Sequence, residues 1–128
     1  METILCLGDS LTFGARDEYH SSYPSHLSKL FWDHEKKEVF CLNYGINGET
    51  SGQLLRRIYS NVQSCSESRT ALIMIGTNDT FLPQEPDIYE DHLRQIVMVI
   101  KNSNEKFRNG ESVGSLFIFF FFAYKKFK

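Results

Sequence analysis

The sequence predicts an α/β fold, a three-layer α/β/α sandwich built around a parallel sheet. Two observations support this prediction. Short apolar runs that end in glycine or a polar loop alternate with segments whose apolar residues recur every three or four positions. A strand is followed by a helix three times over, and one more strand comes last, which favours a parallel sheet with right-handed crossovers and helices on both faces.

Four apolar runs predict the strands of this sheet. The first run is closed by Gly8, as expected for a strand that is covered on both faces and ends in a tight turn. The predicted strands are residues 3–7, 38–43, 71–75 and 115–123.

Three segments with helical spacing predict the covering helices. Pro24 and Pro86 are placed to open the first and the third, because proline is favoured in the first turn of a helix. Thr50 or Ser51 is placed to cap the second helix through its side-chain oxygen. The predicted buried stripes are Leu27, Leu30 and Phe31 in the first helix, Leu54, Leu55, Ile58 and Val62 in the second, and Ile88, Leu93, Ile96, Val97 and Ile100 in the third.

The composition is that of one soluble globular domain. Of the 128 residues, 41% are hydrophobic and 23% are charged, with a formal net charge of -2. Acidic and basic residues are mixed along the chain, so there is no continuous positive stripe that would neutralise a phosphate backbone. Nucleic acid is therefore not an expected partner.

Cysteine usage and the terminal segments predict a cytoplasmic protein. Cys6, Cys41 and Cys65 are odd in number and lack CxxC spacing, which argues against a disulfide framework and against a zinc site. The first residues lack the basic start and the long apolar core of a secretory signal. The apolar run 116–124 is far shorter than the roughly 20 residues that cross a bilayer, so no membrane span is expected.

The last segment differs in composition from the rest of the chain. Residues 1–110 form the predicted domain, whereas residues 111–128 are rich in phenylalanine and lysine. Two explanations compete: the segment contributes a true fourth strand, or it is aberrant sequence such as read-through of AT-rich DNA. The second is favoured, because phenylalanine and lysine codons are AT-rich. If residues 117–122 lie at an unprotected edge of the sheet, we expect the chain to aggregate.

Three polar segments follow the first three predicted strands. The carboxyl ends of parallel strands meet at one edge of a sheet, where functional groups collect. Acyl transfer needs a nucleophile and hydrogen-bond donors directed at the oxyanion of the tetrahedral intermediate, and these segments supply both. They are Gly8-Asp9-Ser10-Leu11, Asn47-Gly48-Glu49 and Gly76-Thr77-Asn78-Asp79.

In content and in order, these segments resemble the first three sequence blocks of the GDSL or SGNH hydrolases, a family of serine esterases and lipases. The resemblance implies the flavodoxin-like SGNH fold and hydrolysis of small carboxylic esters through an acyl-enzyme, without cofactor or metal. Carried over residue by residue, it makes Ser10 the nucleophile. It also implies an oxyanion hole formed by the backbone N–H groups of Ser10 and Gly48 and by the side-chain amide of Asn78.

Four neighbouring polar residues are expected to have structural roles. Asp9 is expected to accept backbone N–H bonds that hold the nucleophile turn. Thr77 and Asp79 are expected to shape the third loop. Glu49 is expected to be a solvated loop carboxylate and not a substrate contact.

A catalytic base is not found where the resemblance implies it. A serine hydroxyl needs a base, which in this family is a histidine near the C-terminal end of the domain, three positions after an aspartate. No such pair follows Asn78, so the domain is expected to be incomplete and weakly active or inactive. His92 is expected to lie at the surface or to pack on a helix face, and His20, three positions after Asp17, is a minor candidate for the base. Two further histidines expected to face solvent are His26 and His34.

Two other functions compete with the ester hydrolase. A non-catalytic module would keep the oxyanion pocket and bind a carboxylate or acetyl group without hydrolysing it. A nucleotide-binding flavodoxin-like domain is disfavoured, because neither GxGxxG nor GxxxxGK[ST] follows the first strand. The ester hydrolase is favoured, with a small-molecule ester as its partner, and the sequence leaves the oligomeric state open.

Overall fold

The computed structural model describes residues 2–15, 17–19, 21–65 and 67–103, together with the backbone of 115–120. Strands and helices alternate as the sequence predicts, with one short helix added directly after the first strand. The elements are β1 (Glu2–Gly8), α1 (Ser10–Phe13), α2 (Tyr23–Glu35), β2 (Val39–Gly45), α3 (Ser51–Ser64), β3 (Thr70–Ile75), a 3-10 turn (Asn78–Phe81), α4 (Pro86–Ser103) and β4 (Ser115–Phe120).

The strands form one parallel sheet in the order β2-β1-β3-β4. β1 lies between β2 and β3, with Gly8 level with Gly45 on one side and with Met74 on the other. Because these strands are parallel, the loops that follow β1, β2 and β3 emerge at the same edge. The predicted α/β fold with a parallel sheet is confirmed, and the three polar segments lie on these three loops.

The larger core lies on the sheet face that α3 and α4 cover. Successive side chains of β1 alternate between faces, and Leu5 and Leu7 belong to this core. Burial stabilises each leucine, isoleucine or valine of such a core by about 1.5–3 kcal/mol. The members that are at most 1% exposed are Leu5, Leu7, Leu54, Ile58, Val62, Ala71, Ile73, Ile75, Ile96 and Ile100.

A smaller core lies against α2, on the opposite face. The predicted stripe of α2 is right for Leu27 and Phe31 but wrong for Leu30, which is 51% exposed. Tyr23, Leu27 and Phe31 form one row at i, i+4 spacing, and a single helix buries only this narrow row. The side chains of this core are Ile4, Cys6 and Val39, with Tyr23, Leu27, Phe31, Cys41 and Leu72 packed against them.

The predicted stripe of α4 is wrong at its first position. Ile88 is 44% exposed, whereas the neighbouring Tyr89 is 7% exposed and belongs to the larger core. Tyr89 lies four residues before Leu93 on the buried row, and its hydroxyl donates a hydrogen bond to the Ile75 carbonyl oxygen at 2.7 Å. A tyrosine can occupy this inward position because its ring is apolar and its polar end has a partner.

Within the described strands, β4 lies at one edge of the sheet. It pairs with β3, from Ser115 level with Thr70 to Phe120 level with Ile75. The fourth strand predicted at 115–123 is thus present over 115–120, and its last three residues lie outside the described part. The boundary between 1–110 and 111–128 and the origin of the latter segment stay predictions. No helix in the described ranges is both long enough and apolar enough to cross a membrane.

Candidate active site

The first loop holds Ser10 at the start of α1, just beyond the end of β1. Asp9 caps this helix: its Oδ1 accepts a hydrogen bond from the Leu11 N–H at 2.9 Å, and the residue is 1% exposed. The prediction that Asp9 holds the turn is therefore confirmed. Ser10 is half-buried, and its hydroxyl has no hydrogen-bond partner among the described residues.

The Asp9 carboxyl group lies in buried and acidic surroundings. Burial raises its pKa above the usual value, and the negative charges of Asp79 and Glu49 raise it further, while the hydrogen bond from Leu11 lowers it. Its second oxygen, Oδ2, is buried without a partner in the described part of the chain. Asp9 therefore holds the turn at an energetic cost that depends on pH.

The second loop brings Gly48 to the same edge of the sheet. The Ile46 N–H donates to the Gly8 carbonyl oxygen at 3.0 Å, which attaches this loop to the end of β1. Gly48 has a φ of 75°, a conformation that favours glycine. It is exposed, and its N–H donates to no other residue within the described ranges.

The prediction that Glu49 is a solvated carboxylate is wrong. Glu49 is 3% exposed and forms an ion pair with Arg57, in which Nη2 lies 2.7 Å from Oε2. A carboxylate buried to this degree needs a partner, because the desolvation of an unpaired charge is costly. The sequence analysis did not predict a role for Arg57. The only signal for its contact with Glu49 was their separation of eight residues.

The third loop positions Asn78 at the start of the 3-10 turn. Its Nδ2 donates to the Glu49 carbonyl oxygen at 3.0 Å and so connects the third loop to the second. A side-chain amide carries two N–H groups, and the other one has no partner among the residues that are described. Thr77 shapes the turn as predicted, since its carbonyl oxygen accepts a bond from the Thr80 hydroxyl at 2.6 Å.

Asp79, Ser51 and His92 form a buried polar cluster that the sequence did not predict. Asp79 accepts hydrogen bonds from the N–H and the hydroxyl of Ser51, and both residues are 0% exposed. Nδ1 of His92 lies 2.9 Å from Ser51 Oγ. Because the single hydroxyl hydrogen of Ser51 goes to Asp79, Nδ1 of His92 is the donor. Asp79 shapes the loop as predicted, and His92 packs from α4 onto the start of α3.

The other histidine predictions concern the loop after α1 and helix α2. His20, the minor candidate for a base, lies outside the described residues. Asp17 accepts a hydrogen bond from the Ser21 hydroxyl at 3.0 Å and lies 3.8 Å from Nε2 of His26. Asp17 is therefore engaged in contacts within this loop. His26 and His34 are exposed, as predicted.

Two hydrogen bonds join the three loops: Ile46 N–H to the Gly8 carbonyl oxygen, and Asn78 Nδ2 to the Glu49 carbonyl oxygen. The three donors that the resemblance implies for an oxyanion hole are unbonded within the described ranges. Preorganised N–H groups of this kind can receive a negatively charged oxygen. The donors are the N–H of Ser10, the N–H of Gly48 and one N–H of the Asn78 side chain.

The chain is similar in sequence to a known family and to individual known proteins. Residues 6–110 match the GDSL-like Lipase/Acylhydrolase family. The chain is 32% identical over 103 residues to thioesterase 1/protease 1/lysophospholipase L1 of Escherichia coli (strain K12), which covers 80% of this chain and 47% of that protein. It is 30% identical over 102 residues to an arylesterase of Vibrio mimicus, covering 80% and 50%. The chain thus spans about half the length of these curated relatives.

Solved structures with a similar fold agree with this match. AlinE4, an SGNH-hydrolase family esterase, gives a TM-score of 0.73 at 24% identity, over 90% of this chain and 57% of that one. TesA gives a TM-score of 0.74 at 19% identity, over 91% and 59%. These two structural similarities show the fold, and the sequence match over residues 6–110 shows the family. The chain therefore belongs to the GDSL-like lipase/acylhydrolase family and has the fold of its SGNH hydrolases.

Proposed function

We propose that this chain carries the nucleophile and the oxyanion hole of a serine hydrolase that acts on small carboxylic esters. Ser10 is the nucleophile. The N–H groups of Ser10 and Gly48 and the side-chain amide of Asn78 form the oxyanion hole. The names of the relatives, which include a thioesterase, a lysophospholipase and an arylesterase, support a substrate in which an acyl group is the transferred part.

The observation that carries this proposal is the hydrogen bond of 3.0 Å from Asn78 Nδ2 to the Glu49 carbonyl oxygen. It holds the carboxamide of Asn78 against the residue that follows Gly48. One amide hydrogen stays unbonded within the described part of the chain. Fixed donors of this kind stabilise the charge that develops during acyl transfer, and loss of one donor slows such enzymes by about 10²–10³-fold.

In the proposed reaction, Ser10 Oγ attacks the carbonyl carbon of the ester and passes its proton to water, which returns a proton to the leaving alcohol. The tetrahedral intermediate collapses, the bond to the alcohol oxygen breaks, and the alcohol leaves with a proton. Water then hydrolyses the acyl-enzyme and regenerates the Ser10 hydroxyl. Without a base at Ser10, the oxyanion donors and substrate binding alone would accelerate the reaction by about 10³–10⁴-fold over water.

The unpartnered hydroxyl of Ser10 also favours a second function. Among the described residues, none accepts a hydrogen bond from this hydroxyl. The same donors could then hold a carboxylate or an acetyl group without breaking a bond. The chain would in that case be a binding module for small ligands.

Labelling with a fluorophosphonate probe tests the proposal on the 128-residue chain. We expect slow covalent labelling at Ser10, located by mass spectrometry, and its loss in Ser10→Ala. Ser64→Ala, which removes an exposed hydroxyl at the end of α3, should be labelled like the wild type. Asn78→Ala should be labelled about 10²-fold more slowly than the wild type.

The outcome separates the two functions. Labelling of Ser10→Ala at the wild-type rate would refute the nucleophile. A chain that resists the probe but shows saturable chemical-shift changes at Gly48 and Asn78 on titration with acetate would be a binding module.

A further inference from the structure

We infer that Arg57 is a positioning residue for the oxyanion donors and acts on them through Glu49. The inference rests on the proposed function, because it assigns a role in the same site. Arg57 lies in α3, and its side chain is 16% exposed. Its guanidinium group is bonded to the first two loops of the site, although Arg57 itself lies 47 residues after Ser10 in sequence.

The ion pair with Glu49 is bidentate. Nε of Arg57 lies 2.7 Å from Oε1, and Nη2 lies 2.7 Å from Oε2. Two charge-assisted bonds from a planar group fix both the distance and the orientation of a carboxylate. Glu49 follows Gly48 directly, and its carbonyl oxygen accepts the hydrogen bond from Asn78. Fixing Glu49 therefore restricts two of the three proposed donors.

The same guanidinium contacts the ends of two strands. Nη2 also donates to the carbonyl oxygens of Tyr44 at 2.7 Å and Gly8 at 3.2 Å. Nη1 donates to Oδ1 of Asn61 at 2.9 Å, which steadies the group from its own helix. Gly8 is the last residue of β1, two positions before Ser10. Arg57 thus ties the strand end that carries the proposed nucleophile to the loop that carries a second donor.

A buried ion pair is weak evidence for stability by itself. The desolvation of two charges offsets most of their attraction, and apolar residues of similar volume often stabilise a protein as well or better. An ion pair with several directed hydrogen bonds does, however, fix the positions of the groups that it joins. In an enzyme, displacing a group by about 1 Å can cost 10²-fold in rate. We therefore expect the loss of Arg57 to affect the site more than the overall fold.

The test compares Arg57→Met, Arg57→Lys and Glu49→Gln with a matched control, Arg56→Met. Arg56 is the adjacent residue of α3 and is exposed. Three quantities are measured on the 128-residue chain. They are the rate of fluorophosphonate labelling, the NMR positions of the Gly48 backbone amide and the Asn78 side-chain amide, and the folded fraction from urea unfolding.

We expect Arg57→Met to slow labelling by roughly 10-fold or more and to shift both amide signals, beyond what its folded fraction explains. Glu49→Gln should act in the same direction. Arg57→Lys keeps the charge but not the planar set of donors, so it should restore only part of the rate. Arg56→Met should leave the rate and both signals unchanged.

The inference is overturned if a folded Arg57→Met chain keeps the wild-type labelling rate and both amide positions. It is also overturned if signals shift evenly along the chain and labelling falls only with the folded fraction, because the role is then merely structural. If Arg57→Met does not fold, Arg57→Lys and Glu49→Gln decide by the same criteria. If wild type is not labelled at Ser10, the proposed function fails, while the two amide signals still test the positioning.

Discussion

The Asp79 carboxylate accepts two hydrogen bonds from Ser51, one from the N–H at 2.9 Å and one from the hydroxyl at 2.5 Å. Ser51 is the first residue of α3, and Asp79 follows Asn78 in the third loop. The pair therefore joins the start of α3 to the loop that carries a proposed oxyanion donor. His92 and Gln84 complete its hydrogen bonds, at 2.9 Å to Ser51 and 3.2 Å to Asp79.

This cluster predicts that Asp79→Ala is strongly destabilising. Hydrogen bonds to charged groups contribute about 1.5–3 kcal/mol each, and Ser51 would keep buried donors without an acceptor, so we expect a loss of about 3 kcal/mol. Asp79→Asn should lose less, because its carbonyl can accept from the Ser51 N–H while the Ser51 hydroxyl turns to accept from the new amide. Urea unfolding measures both. Equal losses in the two variants would contradict the assigned hydrogen bonds.

The raised pKa of Asp9 predicts a stability that depends on pH. Burial is the main cause, so the folded chain binds the Asp9 proton more tightly than the unfolded chain. The contribution of Asp9 to stability is then fully present below its ordinary pKa of 3.8 and is lost as pH rises through the higher pKa of the folded state.

Asp9→Asn isolates this effect, since the Oδ1 of the new side chain can still accept from the Leu11 N–H. We expect the Asp9→Asn variant to be more stable than wild type at pH 7, and this difference should shrink as the pH is lowered toward 4. Urea unfolding of both chains between these pH values measures the difference. A difference that does not change with pH would show that burial of the Asp9 charge carries no cost.

Two glycines of the second strand and loop should respond differently to alanine. A Cβ at Gly45 would overlap the backbone of Phe13, coming within 2.8 Å of its Cα, and backbone atoms cannot move aside easily. Gly45→Ala should therefore lose about 3 kcal/mol, at the upper end for overpacking. A Cβ at Gly48 meets nothing within 4 Å, so only its φ of 75° opposes alanine.

For Gly48→Ala we therefore expect a loss of about 1 kcal/mol, the cost of a left-handed conformation. Thermal and urea unfolding of the two variants measure the contrast. A Gly48→Ala chain less stable than Gly45→Ala would mean that the loop after β2 is packed more tightly than its exposure suggests.

The thiols of Cys6 in β1 and Cys41 in β2 predict selective alkylation. Interaction with the Cys6 thiol lowers the pKa of the Cys41 thiol, and the same interaction and burial raise the pKa of Cys6. Cys41 is half-buried, whereas Cys6 is 0% exposed. Because the thiolate is the nucleophile, iodoacetamide at neutral pH should modify Cys41 first. Cys6→Ala should slow that reaction, which is followed by mass spectrometry. An unchanged rate would show that Cys6 does not lower the pKa of Cys41.

Much of the fold could be predicted because its causes are local. The run that becomes β1 is apolar on both faces and stops at Gly8, and α3 shows its buried row Leu54, Ile58 and Val62 in the spacing alone. The three polar loops meet as expected, since parallel strands place their carboxyl ends together. The predictions of burial were wrong for Leu30 and Ile88. Helical spacing places both side chains near the buried row, but the neighbouring elements do not extend far enough to cover them.

The sequence by itself thus determined the order of strands and helices, the side of the sheet where the polar loops gather, and the segments from which the family could be inferred. Only the tertiary structure decided which charged and polar groups are partners. Glu49 is buried against Arg57, and Asp79 accepts from Ser51, 28 residues away along the chain. The physical reason is that the burial of apolar side chains follows from the periodicity of each segment, which the sequence shows directly. A buried charge needs a partner, and that partner comes from a part of the chain that only the folded structure identifies.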